Sequence, residues 1–450
     1  LTRGPTDPDS IHPWRADPAS LASCSTVQDV SLGTGHALYA RSILPAIASA
    51  EHEVILVTCF WSASPTLDAL NGTLAKLSDR GLEEGRRIAV RVCFSSLSLV
   101  QKLFHPQNLR GRTYGPEEWP SKLGLHDAQR LRGLDLQVKS IFLLPFSVMH
   151  PKFVVVDRKL ALVPSCNVSW EAWLEGVVSI TGPAVGQFVQ FWQSFWASEG
   201  DRGAIAASEH AEREITTIHP SDIDRPNTLS SMRLMLSDVP SIFLPSPHHR
   251  NPRFSLPFRR GRRSPPWTPL NTFILSAIDT ARNDIYMQTP NLTSAPVLSA
   301  LASALARGVD VTIVTSKRLM ILEQLVTAGT ATTRCIKGLK RNHHRLLSKA
   351  TGSNDDAGAL ESGSPSAPGR LRVSFYRSHP NCPPDDPTEP VQSHLKLTII
   401  DGQWTVLGSG NMDRASWYTS QELGVAFFSP RLATSVRDEV DRLMQHRKEE

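Results

Sequence analysis

The sequence predicts an α/β fold made twice: two similar domains with mixed β-sheets flanked by helices, a pseudo-twofold between them, and one active site between the halves. Three observations predict it. The pattern His-x-Lys-x-x-x-x-Asp occurs at His150, Lys152 and Asp157 and again at His394, Lys396 and Asp401. Each copy is followed, at the same distance, by Ser-x-Asn: Ser165-Cys166-Asn167 and Ser409-Gly410-Asn411. Ahead of each copy, apolar runs with helical and strand periodicity alternate in the same order, so the duplication spans whole domains.

Residues 1–30, rich in Pro, Asp and Ser, read as a flexible N-terminal arm. The first domain, 31–200, opens with a helix over 36–50, a strand over 54–59, a helix over 66–79 and a strand over 88–94. Residues 201–265 carry many prolines and no regular pattern, and read as an interdomain connection. The second domain, 266–450, repeats the order with a helix over 271–282, a strand over 284–288, a helix over 295–306 and a strand over 309–315. Within it, 340–369 is read as a disordered insertion, because 351–368 is rich in Gly, Ser, Ala and Asp. Phe188, Phe191, Trp192, Phe195 and Trp196 have helical spacing and read as one buried helix face.

The apolar runs 153–156 and 397–400 are continuous rather than alternating, the mark of strands buried on both faces. Asp157-Arg158-Lys159-Leu160 and Asp401-Gly402-Gln403-Trp404 then read as tight turns, each Asp holding its turn. A two-residue loop in each hairpin would set Lys152 opposite Ser165 and His150 opposite Asn167, and likewise Lys396 opposite Ser409 and His394 opposite Asn411. Because side chains alternate along a strand, His and Lys share a face that the Asp does not.

These residue types suit a phosphodiester, an anion with a poor leaving group. Lys, Ser and Asn donate to its oxygens, a neutral His can attack phosphorus, and a cationic His can protonate the departing alcohol. One His cannot do both at once; two copies facing each other can.

The doubled motif resembles the phospholipase D superfamily, and the resemblance covers both halves. It implies duplicated phospholipase D-like domains, a catalytic pair at His150 and His394, and phosphate binding by Lys152, Lys396, Asn167 and Asn411, with Ser165 and Ser409 beside them. It also implies a phosphohistidine intermediate, with His150 as the commoner nucleophile, and no metal or other cofactor. A downstream carboxylate orients a catalytic His in the family: Glu422 has the familiar spacing from its Asn, Glu175 stands closer to Asn167, and Pro164 replaces the Gly found as Gly408. The segment 408–413 is similar to the second motif of cardiolipin synthases and related phosphatidyl transferases, except that Arg414 is displaced. The implied substrate is a phospholipid at a membrane surface, with DNA or RNA as the alternative nucleic-acid substrate. Both signatures being complete, no partner chain is needed to finish the site.

Composition, with 40% hydrophobic and 20% charged residues, agrees with a globular protein of two domains. A net charge of +5 permits an anionic partner without selecting nucleic acid. No apolar run reaches the length of a membrane span, so the chain is expected to be intracellular, soluble or peripheral to a membrane. It opens on Leu1, so its natural start and any targeting segment are expected upstream. Six cysteines without metal-ligand spacing read as core thiols in a reducing compartment. The basic stretches 253–263 and 337–345 read as surface loops or as docking sites for lipid headgroups or nucleic acid. His105, His248, His249, His343 and His344 show no partner pattern and read as surface residues.

Overall fold

The computed structural model describes residues 17–106, 108–143, 147–198, 230–247, 264–317, 319–352, 367–383, 386 and 388–450. The chain enters through a long strand, β1 (Ala22–Thr34), and a helical stretch, Gly35–Leu38 and Leu44–Ala48, joined by a wider π turn. Strand β2 (Glu53–Val57) then runs parallel to β3 (Ile88–Phe94), joined by helix α1 (Pro65–Glu83). A parallel pair needs such a crossover. Ser64 caps α1 by accepting from the Leu67 amide at 3.2 Å, Pro65 fits its first turn, and Leu67, Leu70, Leu74 and Leu77 give it a buried stripe. After β3 comes a short helix, α2 (Leu99–Leu103), then β4 (Leu134–Ser140), parallel to β3. On the other side of β2 lie, antiparallel in turn, β5 (Phe153–Val156), β6 (Leu160–Pro164) and β7 (Trp173–Thr181). Helix α3 (Ala184–Phe195) closes the half.

A second long strand, β8 (Ser230–Ser246), crosses to the other half. There α4 (Pro269–Thr280), β9 (Asp284–Thr289), α5 (Ala295–Ala306) and β10 (Asp310–Thr315) repeat the parallel unit. Helices α6 (Ile321–Ala328) and α7 (Thr332–Gly352) lead to β11 (Leu371–Tyr376), parallel to β10. The hairpin β12 (Leu397–Ile400) and β13 (Trp404–Gly408) packs beside β9. A short helix, α8 (Arg414–Tyr418), then β14 (Glu422–Phe428) and α9 (Pro430–Leu443) complete the copy. The pairings of β2 to β7 recur one for one in β9 to β14.

The halves do not hold separate sheets. Strand β1 pairs with β7 on one side and β8 on the other, and β8 pairs with β14, so one mixed sheet runs through the molecule with its pseudo-twofold at the β1–β8 seam. This corrects two expectations. Residues 22–30 belong to β1 and not to a loose arm, and 230–246 of the expected connection form β8. Prolines ordinarily argue against an inner strand, yet Pro240 and Pro245 sit in β8, a strand whose register is broken by irregularities and which carries positive φ at Met235 and Asp238. Under the seam, Phe188, Phe191 and Trp192 of α3 are buried as one face. Phe188 packs at a tilt on Phe153 at 5.5 Å and edge-on against Phe243 of β8 at 4.9 Å, in a core shared with Val436 and Val440 of α9.

Three smaller corrections follow. Residues 340–352 are helical, as part of α7, and not disordered; 353–366 lie outside the described residues, as do the basic stretch 253–263, His248 and His249. His105 is buried, its ring nitrogens meeting Ser140 Oγ at 2.9 Å and Pro106 O at 3.0 Å, while His343 Nε2 meets Gly369 O at 2.8 Å. None of the six cysteines is disulfide-bonded; Cys59, Cys93 and Cys166 are buried and Cys24 is exposed.

Each hairpin turn differs by one residue from the expected loop. Val156 pairs with Leu160, and Ile400 with Trp404, leaving three-residue loops. Positive φ at Asp157 and Arg158, and at Asp401 and Gly402, makes the longer loop possible. The register therefore does not set Lys152 opposite Ser165, nor Lys396 opposite Ser409. Each Asp also reaches beyond its own turn. The Asp157 carboxylate accepts from the backbone amides of Glu51, His52 and Glu53 at 2.7, 2.7 and 2.8 Å. Asp401 accepts from those of Arg282, Asn283 and Asp284 at 3.0, 2.7 and 3.0 Å. The motif Asp thus ties each hairpin to the chain entering β2 or β9. Asp401→Asn replaces one acceptor oxygen by a donor facing these amides and should lower unfolding free energy by about 1–3 kcal/mol. Chemical denaturation checks this, with turnover per folded molecule expected to stay near wild type.

Candidate active site

Both motif histidines follow short extended segments that end at the seam, and each is held there by the backbone of the other half. The His150 amide donates to Gln421 O at 3.0 Å and the His394 amide to Leu174 O at 2.9 Å. Gln421 and Leu174 are the residues before Glu422 and Glu175. This backbone pairing carries each carboxylate across the pseudo-twofold: His150 Nδ1 meets Glu422 Oε2 at 2.8 Å and His394 Nδ1 meets Glu175 Oε1 at 2.6 Å. The two histidines thus exchange carboxylates between the halves.

Both carboxylates are almost fully buried and are held by further donors. Ser165 Oγ donates to Glu175 Oε2, and its own oxygen accepts from the Gly176 amide at 2.9 Å. Ser409 Oγ donates to Glu422 Oε2 at 2.5 Å and accepts from the Leu423 amide at 3.0 Å; Ser416 Oγ donates to Glu422 Oε1 at 2.6 Å. A hydroxyl has one proton to give. Ser165 and Ser409 therefore orient the carboxylates, which corrects their expected role as phosphate donors. Strand β13 reaches this network through Gly408 at φ 157, where a Cβ would lie 2.3 Å from Leu423 O; in the first copy Pro164 fills the corresponding place opposite Val177.

The unequal spacing of the two glutamates has a simple cause. In the second copy helix α8 stands between Asn411 and β14, lengthening the connection and supplying Ser416; in the first copy the chain from Asn167 reaches β7 directly. Glu175 is as well placed as Glu422.

Lys152 and Lys396 are buried beside the histidines. Lys152 Nζ donates to His150 O at 3.0 Å and Lys396 Nζ to His394 O at 2.6 Å, with Lys396 Nζ also 3.0 Å from His394 Nε2. Asn167 Oδ1 accepts from the Phe60 amide at 3.2 Å, which leaves its amide nitrogen as the free group. Asn411 Nδ2 donates to Asp413 Oδ2 at 3.1 Å, and its Oδ1 is buried without a partner among the described residues. Trp173 packs on the His394 ring at 4.7 Å. Asp413 and Ser416 belong to the second-motif segment and Trp173 to the aromatic cluster, but their contacts with Asn411, Glu422 and His394 are not legible in the sequence, because no motif spacing records them. The structure brings His150, Lys152, Glu422 and His394, Lys396, Glu175 together; Asp157 and Asp401 lie away at the hairpin ends. Among the described residues no cluster of three or more His, Cys, Asp or Glu is arranged to hold a metal ion.

Burial sets the electrostatics. It pushes His150 down from the ordinary histidine range despite Glu422, and His394 down to about 4 despite Glu175. Burial would raise both glutamates, but their histidine partners, the lysines and the serine hydroxyls outweigh it and hold them below the usual carboxylate range. The resting site therefore holds ionised glutamates and neutral imidazoles, with the two lysine side chains beside them to offset the buried negative charge. The site can bind an anion, position a neutral imidazole for attack and accept or return a proton at the other imidazole.

Comparison with known proteins accords with this geometry. Residues 274–444 match a family model described as cardiolipin synthase, phospholipase D-like domain. The phosphatidylserine synthase of Haemophilus influenzae Rd KW20 superposes with a TM-score of 0.53 at 14% identity, over 98% of this chain and 92% of that one. Nuc, a phospholipase D family member from Salmonella typhimurium, matches at 25% identity over 40% of this chain and 90% of its own, with a TM-score of 0.25. NucT from Helicobacter pylori matches at 14% identity over 39% and 88%, with a TM-score of 0.27. No curated protein matches the sequence.

Lys396 gives the site a pH signature. Burial brings it down to about 7, so it is charged below that pH and neutral above it. Sulfate, dianionic throughout the range, should bind progressively more weakly as pH rises through 7, and Lys396→Met should bind it weakly at every pH. Calorimetric titration between pH 5.5 and 9, roughly bracketing the neutral point, checks this.

Proposed function

We propose that the chain is a phospholipase D superfamily member, a reading supported by the match of residues 274–444 to a cardiolipin synthase, phospholipase D-like domain model, and that it transfers the phosphoryl group of a phospholipid through a phosphohistidine, as a phosphatidyl transferase or phosphodiesterase. The observation that supports this most is the exchange of carboxylates, which gives one cleft two separately oriented histidines. His150 is the nucleophile. Its Nε2 has no partner among the described residues, whereas Nε2 of His394 lies 3.0 Å from Lys396 Nζ. His150 is also the more open of the two, its side chain 13% exposed against 3% for His394.

In the first step His150 Nε2 forms a bond to phosphorus, the bond to the departing alcohol oxygen breaks, and His394 gives that oxygen a proton. Glu422 keeps the Nδ1 proton of His150 and stabilises the cation that forms. In the second step an incoming alcohol or water gives its proton to His394 and bonds to phosphorus while the bond to Nε2 breaks. Lys152, Lys396, Asn167 and Asn411 balance the phosphoryl oxygens. A bound phosphodiester anion favours the protonated forms of His394 and Lys396, opposing the burial that depresses them.

The phospholipid is favoured by the descriptions of the matching family model and of the phosphatidylserine synthase. A second reading, cleavage of a nucleic-acid phosphodiester, is favoured by α7, which has no acidic residue and exposes Lys337, Lys340, Arg341 and Arg345. Turnover of phosphatidylglycerol and of single-stranded DNA, both in excess EDTA, separates them. Lipid turnover that persists in chelator is the expected result; DNA cleavage without lipid turnover would transfer the assignment to the second reading. Histidine roles are separable with a nitrophenyl phosphodiester, whose leaving group needs no proton. His394→Ala should accumulate phosphoryl adduct on His150, and His150→Ala should form none, as read by intact-protein mass spectrometry.

A further inference from the structure

Two short helices, one in each half, stand at equivalent places. Helix α2 follows β3 and helix α6 follows β10, the middle strand of each parallel unit. Both expose large apolar side chains. Leu103 and Phe104 at the end of α2 are 66% and 82% exposed, and Ile321, Leu322, Leu325 and Val326 form one bare face of α6, with Leu322 at 80%. A monomeric enzyme surface does not ordinarily keep such a patch without use.

The opposite side of α6 is fixed to the active-site loop. Gln324 is buried, donating to Asn291 Oδ1 and Leu319 O at 2.7 Å and accepting from the Thr332 amide at 2.7 Å. Asn291 adjoins Leu292, which pairs with Met412, the residue after Asn411. Helix α6 also packs on α8. Glu323, between the apolar residues and the cleft, feels Asp413 and Glu422 from its own half and Lys102 of α2 from the other. Ser95, four residues ahead of α2, accepts from the amide of Met149, the residue before His150, at 3.0 Å, so each apolar helix adjoins a segment that carries the site. Cations border them: Lys102 on α2, and the exposed Arg334 and Lys337 in the first turns of α7, the end of that helix tied to Gln324.

We infer that α2 and α6 form a two-pronged docking surface that seats the cleft mouth on an anionic phospholipid bilayer, their apolar side chains entering the headgroup boundary while Lys102, Arg334 and Lys337 meet lipid phosphates. Apolar tips within a basic rim match an anionic lipid interface. Both halves offering the same prong would set the pseudo-twofold, and the cleft on it, toward the membrane. Among the described residues no helix is long and apolar enough to cross a membrane, so this contact lies in the interface. The inference rests on the phospholipid reading above, because a lipid-cleaving cleft must meet its substrate at a bilayer.

The test is flotation of the full chain with phosphatidylcholine vesicles, with and without phosphatidylglycerol, alongside turnover of a soluble nitrophenyl phosphodiester. Wild type should bind the mixed vesicles and bind phosphatidylcholine alone more weakly. The double variants Leu322→Ser/Val326→Ser and Leu103→Ser/Phe104→Ser, changed at exposed positions, should each bind mixed vesicles about tenfold more weakly with unchanged thermal stability and unchanged soluble turnover. Wild-type failure to float, or double variants that float as wild type does, would overturn the docking surface, and a wild type that instead captures a protein partner through α6 falls under the first of these. Vesicle binding lost in the variants by a protein that turns over no lipid would uphold the surface and overturn the phospholipid assignment, so the two failures are distinguishable.

Discussion

The placement of both candidate-site histidines depends on two carboxylates that cross the seam. A buried glutamate with a neutral imidazole partner is costly unless each oxygen finds a donor. Here the donors come from a serine at the end of a hairpin strand, an imidazole of the opposite half and, for Glu422, Ser416. Neither half can satisfy its own glutamate. The requirement therefore fixes the relation of the halves as much as their apolar contact does, and a small displacement at the seam would disorient both histidines together.

The seam is stiff because it is made of backbone. Strands β1 and β8 join the two parallel units into one sheet, and the aromatic face of α3 lies beneath them against Phe243. A cleft between two domains is ordinarily hinged. Here the halves share one sheet, its β1–β8 register shifted at Val27 and Asp29, and each histidine is held by a backbone hydrogen bond to the other half. Such preorganisation suits a reaction in which charge develops on phosphoryl oxygens and must be met without rearrangement.

Much of the local structure was legible in the sequence, and the reasons differ by element. The strand over 88–94 and the helix over 295–306 were readable because periodicity and caps are local signals. His150, Lys152, His394 and Lys396 were readable because their chemistry depends on a spacing of two along an extended chain. The hairpin register was missed by one residue, since a positive φ at an Asp such as Asp157 leaves no trace in composition. Strands β1 and β8 were missed because their stability comes from each other across the length of a domain, and prolines and polar residues mask such pairing. Which histidine each glutamate serves was equally hidden, being a property of strand pairing and not of either motif.

The β1–β8 pairing has a consequence for how the protein is made. Strand β1 is synthesised ahead of the rest of the first half, yet one of its two edges finds its partner only after that half is complete, and β8 in turn waits for β14. At about 5–20 residues per second, those edges remain open for roughly tens of seconds. An unpaired edge in a growing chain is a template for aggregation. The exposed serines and charges along β8, including Ser231 and Arg233, make that edge less adhesive while it waits. Because the long-range pairing comes late and closes a loop of high contact order, the His150–Glu422 pair forms only after β14 has been synthesised, long after the histidine it serves.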